Sequence, residues 1–144
     1  MRKTALGFTL IELLVVISII GILATLVAAN LNSARSRARD AERKSDMRSI
    51  QTALRLYYND NLSYPVSDTV PWGSAWKASN GTVYMSTVPQ DPLSPAQVYN
   101  YTVGTDTDTY TLSACLENAS DTNGIANNIS GFVCPTDWIF QVSQ

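Results

Sequence analysis

A chain of 144 residues has room for one domain with a modest core. Hydrophobic residues make up 45% of it and charged residues 15%, which fits a folded protein carrying an apolar segment better than a disordered chain. There is no histidine, so the commonest general base and metal ligand is missing, and the net charge of −2 conceals an asymmetry along the chain.

Residues 1–7 (MRKTALG) are short, basic and end in glycine. From Phe8 to Ala29 the chain is apolar apart from Thr9, Glu12, Ser18 and Thr25. About 20 apolar residues span a bilayer as a helix, and this segment reaches that length with Glu12 near one interface. The alternative is a secretory signal peptide cut near Ala24, Ala28 or Ala29, but its apolar region would usually be about half as long.

No proline occurs between Met1 and Tyr64, and helix formers dominate beyond the apolar run. Met47, Ile50, Leu54 and Tyr57 follow one another at spacings of three, four and three, which is one face of a helix. The pattern predicts a single helix from Phe8 to Asp60, on the order of 80 Å long. So small a head cannot bury all of it, so the N-terminal half needs lipid or other copies. Asn32 to Asn61 holds seven basic residues (Arg35, Arg37, Arg39, Arg43, Lys44, Arg48, Arg55) and four acids. The acids interleave with the bases, which predicts an exposed, partly self-paired helix face and not a nucleic-acid site.

Beyond Asn59-Asp60-Asn61 the texture changes. Pro, Gly, Ser, Thr, Asn and Asp are frequent, and seven acids face a single base, Lys77. Strands are expected within Gly81 to Ser86, Val98 to Val103 and Thr109 to Ala114, with Phe132 to Cys134 and Ile139 to Val142 as further candidates. Turns are expected at Asn80-Gly81 and Gly104-Thr105-Asp106. The expected organisation is a leader (1–7), a transmembrane assembly helix (8–31), an amphipathic helix (32–61) and a globular head (62–144). The fold class is α+β, a long helix packed on a small antiparallel sheet.

The run Gly7-Phe8-Thr9-Leu10-Ile11-Glu12, continuing through Leu13-Leu14-Val15-Val16-Ile17 and Gly21-Ile22-Leu23-Ala24, resembles the processing site of type IV prepilins and type II secretion pseudopilins. The resemblance covers residues 2 to 28. It implies cleavage between Gly7 and Phe8 by a membrane prepilin peptidase, which would also N-methylate Phe8. The physical chemistry is consistent with this. A peptidase must approach the backbone closely, and Gly7 presents no side chain. A lone carboxylate in an apolar segment costs several kcal/mol unless paired. Cleavage frees an α-amino group five residues from Glu12, and a neighbouring subunit's amino group is a natural partner for that carboxylate.

Tyr64-Pro65 and Pro89-Gln90-Asp91-Pro92 look like the post-helix Tyr-Pro and the Pro-x-Asp-Pro of major pseudopilins, although Leu93 and Ser94 replace the tryptophan and glycine that often follow. Many relatives have a proline where this chain has Ala29. Cys115 and Cys134 resemble the pair that bounds the disulfide loop of many pilins, and in an exported head they would be expected to pair. Calcium is the cofactor that the resemblance to major pseudopilins implies. Its candidate loop here is Glu117-Asn118-Ala119-Ser120-Asp121-Thr122-Asn123-Gly124, but the spacing matches no calcium pattern, so the expectation is a solvated polar loop with no cofactor and calcium is the alternative. The positive-inside tendency opposes placing the head outside, because Arg35, Arg37, Arg39, Arg43 and Lys44 follow the apolar run. The resemblance places the head outside the cytoplasm all the same.

No Ser/His/Asp set, Cys/His pair or phosphate-cradling glycine loop is present, so an enzyme is not expected. The expected function is a structural subunit of a type IV pilus-like filament. Its partners would be other copies of itself, the prepilin peptidase and an inner-membrane assembly platform. The cysteine pair favours that reading. Pro89 to Pro92 favours the alternative, the major pseudopilin of a type II secretion system. A membrane-anchored binding module that never polymerises is the more distant possibility.

Overall fold

The computed structural model describes residues 8–144. One helix, α1, runs from Leu10 to Asn61 over 52 residues, within two residues of the expected bounds. Its backbone is helical through Ala29. Nothing in the sequence interrupts it: there is no proline, and Gly21 is the one internal glycine. The chain divides into two units, one ending at Arg35 and the other running from Ser36 to Gln144.

In the first unit every residue from Phe8 to Ala28 is exposed, including Leu10, Ile11, Leu14, Ile19 and Leu26. Fully burying a Leu or Ile side chain is worth about 1.5–3 kcal/mol. This helix leaves that stabilisation unrealised at each of these positions, and it is long and apolar enough to cross a membrane.

The second unit packs the C-terminal half of α1 against two antiparallel sheets. The smaller pairs β1 (Trp76–Lys77) with β2 (Val83–Met85) around a turn at Asn80-Gly81. The larger contains β3 (Asn100–Val103), β4 (Tyr110–Cys115), β5 (Ile125–Ala126) and β6 (Trp138–Ser143), in the order β3-β4-β6-β5. β3 and β4 form a hairpin in which Tyr101 faces Leu112 and Val103 faces Tyr110. The turn lies at Gly104 to Thr109, where the expected Gly104-Thr105-Asp106 bend is found.

Met47, Ile50 and Leu54 are fully buried and Tyr57 packs against the same core, as the spacing predicts. A dense aromatic layer meets them: Tyr57 stacks on Trp76 with ring centroids 5.5 Å apart, and Tyr64 packs edge-on to Tyr110 at 4.6 Å. The expected strands are found at β2, β3, β4 and β6. Phe132 to Cys134 is a correction, because it forms no strand. The Phe132 N–H donates to the Ile129 carbonyl and the Phe132 carbonyl accepts from Asn127 Nδ2, so local turns consume the groups a ladder would need.

Candidate assembly helix and the clamp on the C-terminal loop

Phe8 and Glu12 open the apolar helix and both are exposed; Gly7 lies outside the described residues. Glu12 is not an isolated carboxylate within its own chain. Thr9 stands immediately before the helix and Glu12 is its third residue. The Thr9 N–H donates to Glu12 Oε2 at 2.8 Å and the Thr9 hydroxyl donates to the same oxygen at 2.7 Å. The Glu12 N–H reaches back to Thr9 Oγ1 at 3.3 Å. This is a capping box, which satisfies two of the helix's orphan donors with one another's side chains. Its signal, Thr-x-x-Glu before an apolar run, is present in the sequence. The carboxylate therefore already serves the helix end before any neighbouring chain is considered.

The second constellation is in the head. Arg43 has no exposed surface. Its Nε and Nη2 make a two-pronged pair with Asp91 at 2.8 and 3.0 Å. Its Nη1 donates to Asp40 and to Glu117, each at 2.8 Å. Burial works against the Arg43 charge, but the hydrogen bonds that Arg43 donates to Asp91, Glu117 and Asp40 outweigh it and raise the guanidinium's pKa above its ordinary value. Arg39 grips Glu117 through Nε at 2.7 Å and Nη2 at 2.5 Å, and Lys44 Nζ pairs with Asp121. Arg39 first, and Arg43 with it, hold the Glu117 carboxyl down at about 2, against the effect of burial.

Asp40 completes the clamp from the helix side. Its two oxygens accept the backbone N–H groups of Glu117 and Asn118, both at 2.9 Å. The expected exposed charged face is found at Arg35, Arg37, Glu42, Arg48 and Arg55, which are exposed, but Asp40 and Arg43 are buried and correct that expectation. Apart from Asp40–Arg43, the ion pairs recorded for this face run to Asp91, Glu117 and Asp121 of the head. Asp91 is the acid of the Pro89-to-Pro92 motif, which makes that motif an anchoring point on α1. Tyr64-Pro65 is likewise tied in: Tyr64 is buried and the Pro65 carbonyl accepts the Tyr101 hydroxyl at 2.9 Å.

Cys115 and Cys134 form a disulfide with Cα atoms 5.4 Å apart, closing the C-terminal loop. Within the loop, β5 pairs with β6, placing Ile125 opposite Ile139. The Trp138 indole N–H donates to the Asp121 carbonyl at 3.0 Å. That ring lies so close to Gly124 that a Cβ there would come within 2.0 Å of Nε1, which is why glycine stands at the loop's end. Among the described residues no group of three Cys, Asp or Glu is arranged to hold a metal ion.

An exposed apolar helix with a capped acidic start, joined to an α+β head, defines the prepilin-like class. The family described as a prokaryotic N-terminal methylation motif matches residues 2–28. The family described as type II secretion system protein G matches residues 30–131, and the chain belongs to that family. Among curated proteins it is similar to the type II secretion system core protein G of Klebsiella michiganensis, 36% identical over 101 residues covering 63% of this chain and 70% of that one. It is also similar to the core protein G of Aeromonas hydrophila, 32% identical over 67% of this chain and 78% of that one. With that of Vibrio cholerae it shares 34% identity over 64% and 67% respectively. No solved structure matches the chain significantly.

Proposed function

We propose that this protein is the major pseudopilin of a type II secretion system, a structural filament subunit and not an enzyme. The observation that carries the reading is the match to the protein G family over most of the head, adjoining an apolar helix segment exposed from Phe8 to Ala28. The type IV pilus reading rested on the cysteine pair, and the family match outweighs it. The precursor is cut between Gly7 and Phe8, Phe8 is N-methylated, and the subunit waits in the inner membrane with its head outside the cytoplasm. The charge objection to that topology is weaker than counting suggests. Three of the five cations past the apolar run, Arg39, Arg43 and Lys44, are neutralised by acids of the head.

Copies then polymerise through the apolar helix into a periplasmic filament, with Glu12 pairing to the freed amino group of a neighbour. The prepilin peptidase and an inner-membrane assembly platform are the other partners. Gene deletion tests the reading: exported enzymes should accumulate in the periplasm and return to the medium on complementation. Normal secretion with loss of surface fibres would instead favour a type IV pilus.

A further inference from the structure

The family resemblance implies calcium in the loop from Glu117 to Gly124. Calcium takes six to eight oxygen ligands at about 2.3–2.6 Å. The oxygens of the loop's two carboxylates are already committed. Glu117 Oε1 accepts from Arg39 and Arg43, and Oε2 from Arg39. Asp121 Oδ2 faces the Lys44 ammonium, and Oδ1 accepts the Asn123 N–H at 2.9 Å. The Asp121 carbonyl accepts from Trp138 Nε1 and from the Gly124 N–H. The Asn118 side-chain oxygen accepts the Ser120 N–H at 3.2 Å. A calcium ion would have to displace Lys44 and sit beside two fixed guanidinium groups, so the donor set does not fit it.

We infer that the cations Arg39, Arg43 and Lys44 of the chain's own helix perform the task of a bound divalent ion, so that the C-terminal loop docks and the head folds without calcium. Three features make the substitution complete. The positive charge is delivered from α1, so loop and helix are joined directly. The Asp40 carboxylate anchors the first two loop N–H groups, fixing where Glu117 points. The disulfide holds the loop's far end against β4 and so replaces the closure that a shared ligand would provide. Lys44 is the residue on which the idea turns, because its side chain and that of Asp121 are only 16% and 17% exposed. Removing it leaves Asp121 facing the protein without a counter-charge.

The test uses the full-length chain purified in detergent and stripped with EGTA. Calcium chloride is titrated in while heat of binding and thermal unfolding are followed. The expected result is no saturable binding and an unchanged melting temperature from EGTA to millimolar calcium. Saturable binding, or a rise in melting temperature that EGTA reverses, overturns the inference. Lys44→Met should lower the melting temperature by about 5 °C in EGTA and open the loop to limited proteolysis, and Lys44→Arg should restore both. If Lys44→Met melts like the parent and resists proteolysis equally, the internal cation is not what holds the loop. The wild-type calcium titration decides the matter even if that variant does not fold.

Discussion

Arg43 and Asp91 lie 48 residues apart in sequence and meet through two hydrogen bonds of 2.8 and 3.0 Å, neither side chain having any exposed surface. The helix and the loop after β2 are thereby joined by a desolvated ion pair in the middle of the head. Such a pair does not by itself prove stability, because taking both charges out of water is costly. Its geometric demands are strict, and it ties α1 to that loop at one register.

Removing one partner should be severe. Arg43→Met leaves Asp91 and Asp40 buried without their cation and should destabilise the head by about 3–5 kcal/mol. Asp91→Asn should cost less, because Asp40 and Glu117 still hold Arg43. Urea unfolding of the two single variants and the double would give a coupling energy, expected on the order of 1–3 kcal/mol. A coupling near zero would mean the contact contributes shape alone.

The clamp should respond to acid. Glu117, held down by Arg39, has a carboxyl pKa of about 2 in the fold against 4.5 ordinarily, and Asp121, held by Lys44, is also lowered from 3.8. A depressed folded pKa contributes stability that is complete above the ordinary value and lost as pH falls toward the folded one. Asp46 is raised by burial and acts in the opposite sense. Two lowered groups against one raised predict a net loss of stability between about pH 4.5 and pH 2. Glu117→Gln should melt lower than the parent at pH 7 and approach it near the acid end. Curves that stay parallel across this range would show that Glu117 is not responsible.

Much of this was legible in the residues. The apolar run, its length and the Met47-Ile50-Leu54-Tyr57 face define both halves of α1. Extended backwards at the same spacing, that face passes through Arg43 and Asp40. Both are buried, although charge at a helix position ordinarily signals exposure. A buried guanidinium is recognisable only when the acids that meet it are known, and these lie on distant loops. The strands β1 and β5 have two residues each, too few for any alternation to show. Phe132 to Cys134 looks like a strand because it is apolar, yet Val133 is 84% exposed and the segment is held by turns and the disulfide. At the N-terminus the Thr9–Glu12 box is present in the sequence as Thr-x-x-Glu before an apolar run, the pattern of a helix start.

Processing should yield a mature chain that begins at Phe8. Intact mass and N-terminal sequencing of the protein from membranes would give the cleavage site and the added methyl group. A chain beginning near Ala29 would identify a conventional signal peptide and remove the assembly helix altogether.

The Cys115–Cys134 bond encloses a polar segment rich in Asn, Ser and Gly. Closing a loop of this size is worth about 3 kcal/mol in the chain-entropy picture. Reduction should therefore lower stability and release β5 from β6, because its two paired residues alone cannot hold the loop. Alkylation of the denatured, unreduced protein should label neither cysteine. Two labelled thiols would contradict both the bond and an extracytoplasmic head.

Glu12 caps its own helix, and substitution can separate that role from the one proposed for it toward a neighbouring chain. Within its own helix it accepts from the Thr9 N–H and hydroxyl, which a neutral amide oxygen can also do. Toward a neighbouring chain its charge is what would matter, because the incoming group is a charged amine. Glu12→Gln keeps the capping geometry and removes the charge. Thr9→Val keeps the charge and removes the hydroxyl, weakening the cap by about 1 kcal/mol. If charge drives docking, Glu12→Gln should cut the yield of sheared filaments at least tenfold while the protein remains processed and membrane-inserted. Thr9→Val should then assemble at near-normal levels, its carboxylate being if anything freer to pair. The reverse ranking, with Glu12→Gln assembling normally and Thr9→Val failing, would assign Glu12 to the helix end alone. Filament yield must be normalised to mature subunit in the membrane, since a frayed first turn could also slow cleavage beside Phe8.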